Sequence, residues 1–562
     1  MAQYKKHQRP RRHRPIVVKV LLNALAVIAI MAMASMVYWV LKPAPVVSDY
    51  ELLSCLPPAA EIVAFQRSLE TDWLRLRTSK WFQNMMARPE LKEFAQHYRL
   101  DKNEQSDAER WVLDVIGARV LAGFVPDPQK PGRYSIFAFA PVGNRAQRLE
   151  LWAEILQHGG RAGFTLTASR HAGAEVVRVT VKDWPENLVV KYTKLRGIIV
   201  AVFSESEDTL ERYLDRDAPK ALRWNEQPKP LQGMAADFLK EFADQMDDES
   251  YRSQRGLCRL RKGLFAWSID TTNLGTITVN THAPLVSPPL LTAAGSITSS
   301  SLVKQLPANQ LLTVCGRLSE WWAAAAAHVG FFDPATGQAM HQSLVKFRET
   351  SPWMGDYFAL ASLRWQAIVS NLPVPVPQWA AAVECYNEKQ ARLGIEDALQ
   401  NFNSRFESQL ALAPTDANGI IVDRLSAGNS PLSQQIMRWP AMRYKEGALM
   451  AASDTDLLLP MLTPKPWNDQ NSEDNRLRWQ VMATTQMIRG ALDAYSFYRM
   501  FSKKQPPPAV AEWLPRVDLT VSLLSGLRTI NVTCKIENGA AYFSVQAVYD
   551  ELAQRRSAAS GN

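Results

Sequence analysis

Along this chain the spacing of apolar residues switches between continuous, two-residue and helical periods. From Val20 to Leu41 there are 22 residues without a formal charge, with Asn23 and Ser35 as the clearly polar ones. A helix of that length, rising about 1.5 Å per residue, matches a hydrocarbon core about 30 Å thick. Tyr38 and Trp39 sit at its far end, where amphipathic rings favour an interface, and Lys42-Pro43 stops it. Beyond this point, alternating or continuous short apolar runs predict strands at 61–65, 118–124, 134–142, 175–181, 188–192, 197–203, 357–363 and 379–386. Helical spacing predicts helices over 68–88, 103–116, 145–157 and 388–406. Pro126 to Gly132 reads as a turn, and Pro373, Pro375 and Pro377 read as a Pro-rich loop.

Parts of this pattern recur about 250 residues later. Leu56-Pro57, the strand Glu61–Phe65, Leu69 and Trp73 are followed in the same order by Leu306-Pro307, Leu311–Val314, Leu318 and Trp322. Gly197–Val202 with Ser204 to Glu207 matches Gly447–Ala452 with Ser453 to Asp456, each a buried strand followed by helix-capping residues. A third pair joins Leu274–Val279 to Leu527–Val532. The expected fold is therefore α+β: an N-terminal transmembrane helix followed by two diverged tandem copies of an α+β unit. Its divisions are a basic tail at 1–19, the membrane helix at 20–41, a stalk at 42–50, a first unit at 51–283, a linker at 284–301, a second unit at 302–550 and a tail at 551–562.

Charge supports that division. Lysine and arginine exceed acids by nine, which suggests a nucleic-acid binder until their positions are considered. Residues 1–19 hold seven basic residues and no acid, leaving 57 basic against 55 acidic side chains elsewhere, a net of +2. Nucleic acid is not expected as a partner. A basic flank before an apolar span places the tail in the cytoplasm and the bulk of the chain outside it. The expected location is the inner membrane, with the lipid bilayer and envelope proteins as partners. Ala32-Met33-Ala34 has the form of a signal-peptidase site, so cleavage of the anchor stays open.

The search for chemistry returns mostly negatives. The sequence has no phosphate-binding glycine loop, no dinucleotide fingerprint, no H-E-x-x-H and no nucleophile elbow. Cys55, Cys258, Cys315, Cys385 and Cys534 show no metal-ligand or redox spacing, and pairing of Cys55 with Cys258 stays open. Ser301-x-x-Lys304 has the form of an activated serine but lacks the companion motifs of that class, so an ordinary helix start is expected. Asp247 to Glu249 and Glu205, Glu207 and Asp208 lack the alternation of a calcium loop and read as solvated segments. No catalytic, cofactor-binding or metal-ligating residue is assigned, and no cofactor is expected. Trp73 and Trp322, at matched positions, are expected in the core rather than on a ligand platform.

The Leu-Pro turn, strand and Trp-bearing helix at Leu56–Trp73 and again at Leu306–Trp322 resemble an uncharacterised family of membrane-anchored bacterial envelope proteins. The resemblance implies an exported location and supplies no catalytic residues. The expected function is an interaction or scaffold module. The alternatives are an envelope enzyme with a site between the units, or a solute-binding or chaperone-like module.

Overall fold

The computed structural model describes residues 47–78, 119–142, 164–181, 188–216, 230–246, 253–271, 276–288, 297–369, 372–427, 439–463, 475–488 and 527–549, apart from a few single positions and pairs. In the first half of the sequence the elements are α1 (Asp49–Ser54), β1 (Ile62–Gln66), α2 (Leu69–Thr78), β2 (Val120–Pro126), β3 (Tyr134–Pro141), β4 (Phe164–His171), β5 (Ala174–Val181), β6 (Val189–Leu195) and β7 (Ile198–Ser204). These are followed by α3 (Thr209–Arg216), α4 (Met234–Met246), β8 (Ser253–Leu260), β9 (Gly263–Thr271) and β10 (Thr276–Pro284). The second half begins with α5 (Ser299–Gln305), β11 (Leu312–Arg317), α6 (Leu318–Phe332), α7 (Pro334–Thr350), β12 (Met354–Val369), β13 (Leu372–Cys385) and α8 (Glu388–Phe406). It ends with β14 (Ala411–Ala417), β15 (Ile420–Ser426), β16 (Ala441–Lys445), β17 (Ala448–Ala452), α9 (Thr455–Leu462), β18 (Asn475–Trp479), β19 (Leu527–Glu537) and β20 (Ala540–Tyr549).

Two compact units divide the chain. One comprises 1–57, 111–122 and 126–231, and the other 58–110, 123–125 and 232–562. In the first unit β3 pairs with β7, then β7 with β6, β6 with β5 and β5 with β4. Tyr213 of α3 packs on Phe137 and Phe139 at 5.3 and 6.1 Å, and its hydroxyl donates to the Cys55 carbonyl over 2.7 Å. The buried aromatic ring thus supplies apolar area while its polar tip finds an acceptor.

In the second unit the order begins β1-β8-β9-β10, continues through β20, β19, β18, β11, β12 and β13, and ends β17-β16-β15-β14. Within the same unit Glu61 N, next to β1, donates to the Phe124 carbonyl over 2.9 Å. The order β3-β7-β6-β5-β4 thus has the connectivity of β13-β17-β16-β15-β14, and β1-β8-β9-β10 that of β11-β18-β19-β20. Gly197 and Gly447 occupy the same hairpin turn, at φ values of 81° and 83° that suit a residue without a Cβ. Leu56 and Leu306 each follow the short helix that opens their half, at α1 and α5.

Several expectations require correction. Strand outweighs helix, 47% to 33%, and every strand pairing described is antiparallel. The described residues are mostly antiparallel sheet with helices packed on it, and the expected α+β fold headed by a transmembrane helix is not what they show. Among the described residues no helix is long and apolar enough to cross a membrane. The 19 residues of α8 include Glu388, Lys389, Arg392, Glu396, Asp397 and Arg405, a charge load that excludes a lipid setting. Segment 20–41 lies outside the described residues, so the membrane and single-pass assignments have no support in the fold. The helices expected at 103–116 and 145–157 also lie outside them. The third sequence match does not join equivalent strands: Ile277 lies on β10, whose counterpart by sheet order is β20, whereas Ile530 lies on β19. The expected Pro-rich loop is part of β13. Pro373, Pro375 and Pro377 are spaced by two, so their missing N–H groups share one edge of the strand, and Pro375 and Pro377 stay in register with Ala367 and Trp365 of β12. The expected linker is narrower, because Pro284 belongs to β10 and Ser299 begins α5.

Helix–sheet contact in the second unit depends on small residues. Ala324 and Ala327 of α6 meet Ala283, Cys534 and Ala541 in one buried cluster. A Cβ added to Gly337 of α7 would come within 2.4 Å of Gly330 Cα in α6, so the two helices touch backbone to backbone. A larger second cluster joins Tyr357, Ala359, Ala361, Ala380, Ala382 and Met450 beneath Leu302 of α5 and Leu458 and Met461 of α9.

All five cysteines are free and buried. Burial, reinforced by nearby Glu51 and Glu320 respectively, pushes the Cys55 and Cys534 thiols up to about 12. A water-soluble maleimide should therefore leave the native protein unmodified at neutral pH and label five thiols in denaturant. Rapid labelling of the native chain would contradict the burial of these side chains.

Candidate functional site

The strands of the second unit have two unlike faces. Residues paired directly across an antiparallel ladder share a face, and side chains two apart along a strand do too. One face of β9, β10, β20 and β19 carries Phe265, Trp267, Ala283, Ala541, Phe543 and Cys534. It packs against α6, with Phe543 6.0 Å from Trp321 and 4.7 Å from His328.

The opposite face is polar across six strands. One row runs Arg255, Ser268, Asn280, Ser544, Thr533 and Arg476, from β8 to β18. The next row runs Asp270, Thr278, Gln546, Asn531 and Arg478, from β9 to β18. A third, shorter row sets His282 beside Tyr542 and Lys535. Arg255 and Ser268 are buried at the margin, whereas Tyr542, Gln546, Lys535, Arg476 and Arg478 are exposed.

Local bonds fix part of this floor and leave part of it open. Asn280 Nδ2 donates to Ser268 Oγ over 3.2 Å, and Arg255 binds Asp270 over 2.9 Å. His282 Nδ1 stands 3.3 Å from Glu241 Oε1 of α4, and its ring lies 5.2 Å from that of Tyr542. Partial burial, then the charges of Glu241 and Glu537, hold the Tyr542 phenol above its ordinary value, so it keeps its proton as a donor at neutral pH. Asn531 Nδ2 donates to Gln546 Oε1 over 3.4 Å, while its Oδ1 is buried and meets no donor among the described residues. Among the described residues Arg476, Arg478 and Lys535 have no ionic partner, unlike Arg255 or Arg348, which are matched by Asp270 and Asp356. Guanidinium, ammonium, amide and hydroxyl groups held on a hydrogen-bonded sheet form a preorganised surface for an anionic or hydroxyl-rich ligand.

A second polar cluster, buried in the same unit, has a structural task. Arg317 precedes α6 and offers no side-chain cap. Asp356 supplies one from β12: its carboxylate accepts from Ser319 N over 2.9 Å and from Ser319 Oγ over 2.5 Å. Arg348 of α7 neutralises Asp356 and donates to the Gly355 carbonyl over 2.9 Å. Glu384 of β13 accepts from the backbone N–H groups of Asp356 and Tyr357 over 3.0 and 3.3 Å, where β12 bulges. Ser319 is thus committed to helix capping.

The sequence candidates take bland roles. Ser301 is buried at the start of α5, its Oγ 2.9 Å from that of the capping Thr298, rather than acting with Lys304. Glu205 faces Lys130 and Arg133, Glu207 faces Arg178 and Lys191, and Asp208 faces Arg212, so these acids are matched by cations. Asp247 to Glu249 lie outside the described residues, and among those described no group of three His, Cys, Asp or Glu could hold a metal ion. Trp73 and Trp322 are half-buried rather than core residues. The Trp322 indole N–H donates to the Met340 carbonyl of α7 over 2.6 Å, which leaves the ring at the helix–helix edge. Sequence reading missed the polar floor, although its signal is visible: Thr276–His282 and Thr529–Lys535 alternate polar with apolar residues. The third repeat match reflects that shared alternation.

The buried carboxylate gives a pH prediction. Desolvation raises the Glu384 pKa, with the Asp356 charge adding to it against the two backbone donors. A carboxyl whose folded pKa exceeds its unfolded one holds extra protons in the folded state. Its contribution is complete below the unfolded value and is lost as pH rises through the folded one. Glu384→Gln cannot lose that contribution. In urea titrations, the stability of E384Q relative to the parent should therefore increase from the ordinary carboxylate range upward. A difference that does not change with pH would contradict this.

Compared with known proteins, the chain matches no family model, no curated protein and no solved structure.

Proposed function

We propose that this protein is an interaction module, and that the polar floor of β9, β10, β20 and β19 with the flanking β18 is its contact surface. The observation that carries the reading is the pairing of two unlike faces on the same strands. The apolar face is closed by α6, whereas the other presents exposed Arg476, Arg478, Lys535, Tyr542 and Gln546 in register. An antiparallel sheet tolerates one wet face, so polarity alone would be unremarkable. Three exposed cations that lack acidic partners among the described residues favour a binding role.

The partner this surface fits is an envelope protein, peptide or glycan that offers carboxylates or hydroxyls. Exposed cations mainly steer encounter and select the sign of the partner's charge, and aligned amides and hydroxyls then fix its orientation. No bond-making step is part of the reading. The Ser319 hydroxyl, close to the Asp356 carboxylate, is buried and used for capping.

The test is photo-crosslinking in the full chain. A photoreactive residue at Asn280 should give a discrete adduct in cells, and the same residue at exposed Ile421 of β15 should not. Arg476→Glu with Arg478→Glu should abolish the Asn280 adduct while leaving the unfolding midpoint near that of the parent, as expected for exposed positions. Equal adducts from both positions, or an adduct indifferent to charge reversal, would refute the reading.

A further inference from the structure

The cations of the polar floor stand in one column. Arg476 and Arg478 are two residues apart on β18, so both project from the floor face, about 7 Å from each other along the strand. Thr533 is opposite Arg476, and Lys535 lies two residues beyond Thr533 on β19, so it holds the next level of the same face. Glu537 follows after another two residues, beside the Asn538-Gly539 turn that leads into β20. All four side chains are exposed. From the turn outward the levels therefore read one anion and then three cations, in steps of about 7 Å. Neutral hydrogen-bonding groups flank each cation: Tyr542 is opposite Lys535, Ser544 opposite Thr533 at the Arg476 level, and Gln546 opposite Asn531 at the Arg478 level. The acids on the far side of the floor face other groups, Asp270 the Arg255 guanidinium and Glu241 the His282 ring.

We propose that this column takes an extended acidic peptide, with carboxylates at three alternate positions and a basic residue two positions from the nearest of them; this deepens the reading of the floor as a contact surface and rests on it. Alternate side chains of an extended peptide face one way and repeat every ~7 Å, the same step as the cations. A seven-residue stretch laid along β19 sets its first side chain over Glu537 and its third, fifth and seventh over Lys535, Arg476 and Arg478. Each carboxylate then meets a cation, and the amide or hydroxyl beside that cation binds its second oxygen. Glu537 distinguishes this partner from a uniform polyanion. A nucleic acid or sulfated glycan would carry negative charge onto Glu537, whereas a basic residue gains a partner there. Single-stranded nucleic acid would also need rings on which to stack its bases, and the rings of the three rows, His282 and Tyr542, are packed against each other at 5.2 Å.

The experiment is fluorescence anisotropy with the full-length protein and a labelled seven-residue peptide that has lysine first, glutamate third, fifth and seventh, and serine between. This peptide should bind. One of the same composition with glutamate at the fifth, sixth and seventh places should bind about fivefold more weakly, because one carboxylate then faces away and one exposed ion pair is lost. Arg476→Glu with Arg478→Glu should weaken the alternating peptide by about 25-fold or more, two such pairs being lost. Glu537→Lys should weaken the lysine-first peptide and strengthen a glutamate-first counterpart, an exchange that loss of folding cannot produce. Equal binding of the alternating and adjacent peptides, tighter binding of a single-stranded oligonucleotide or a heparin fragment, or a Glu537→Lys variant that treats both peptides alike would each overturn the proposal. So would failure of the peptide to bind while the Asn280 adduct still forms and responds to charge reversal, in which case the contact surface stands and its partner is of another class. Loss of both the binding and the adduct refutes the reading of the floor as well.

Discussion

Nine residues of β10, Thr276–Pro284, pair without interruption to nine of β20, Val548–Ala540. This joint sets the faces of the whole central region. A shift of one residue would exchange the apolar and polar sides of β20 and send Phe543 into water. In the observed register Ala283 and Ala541 stand together, low enough for the alanine side of α6 to settle on them. The same register places Asn280 beside Ser544 and Thr278 beside Gln546 on the reverse face. Closing one face under α6 and composing the other from amides and hydroxyls are two consequences of one pairing.

Holding α6 against the sheet carries a further demand. Its amino terminus is buried and its own preceding residue, Arg317, provides no cap. The N–H groups at a buried helix start need acceptors, and an unsatisfied one costs about 1–3 kcal/mol. Asp356 meets that need from a neighbouring strand, and Arg348 then becomes necessary because a lone buried carboxylate is costly. Glu384 braces the bulge that presents Asp356, at the cost of its own desolvation. The most reactive-looking group of side chains in the described structure is therefore accounted for by helix packing. The weakly partnered groups lie on the open floor instead.

The repeated topology explains how these features coexist. Corresponding strands keep their order because each must bury one face, whereas positions facing solvent have diverged. Gly197 and Gly447 retain the same turn conformation.

The sequence by itself determined most of the strands with period-two alternation, the β6–β7 and β16–β17 turns, the capping Asp454 that follows β17, and the helix at Glu388–Phe406. These are local properties, decided by side-chain period and by residues suited to positive φ. It misassigned Pro373 to Pro377 because proline signals a loop locally, whereas in β13 the edge that lacks donors is one the ladder with β12 does not use. It equated Ile277 with Ile530 because both strands alternate, although only sheet order distinguishes a last strand from a penultimate one. The polar floor was invisible for a related reason. Asn280, Ser544 and Thr533 are ordinary polar residues far apart in the chain, and they form one row only once β10, β20 and β19 are in register. Which residues alternate is written in the sequence. Which alternating faces meet is decided by long-range pairing, and no short window of the chain contains it.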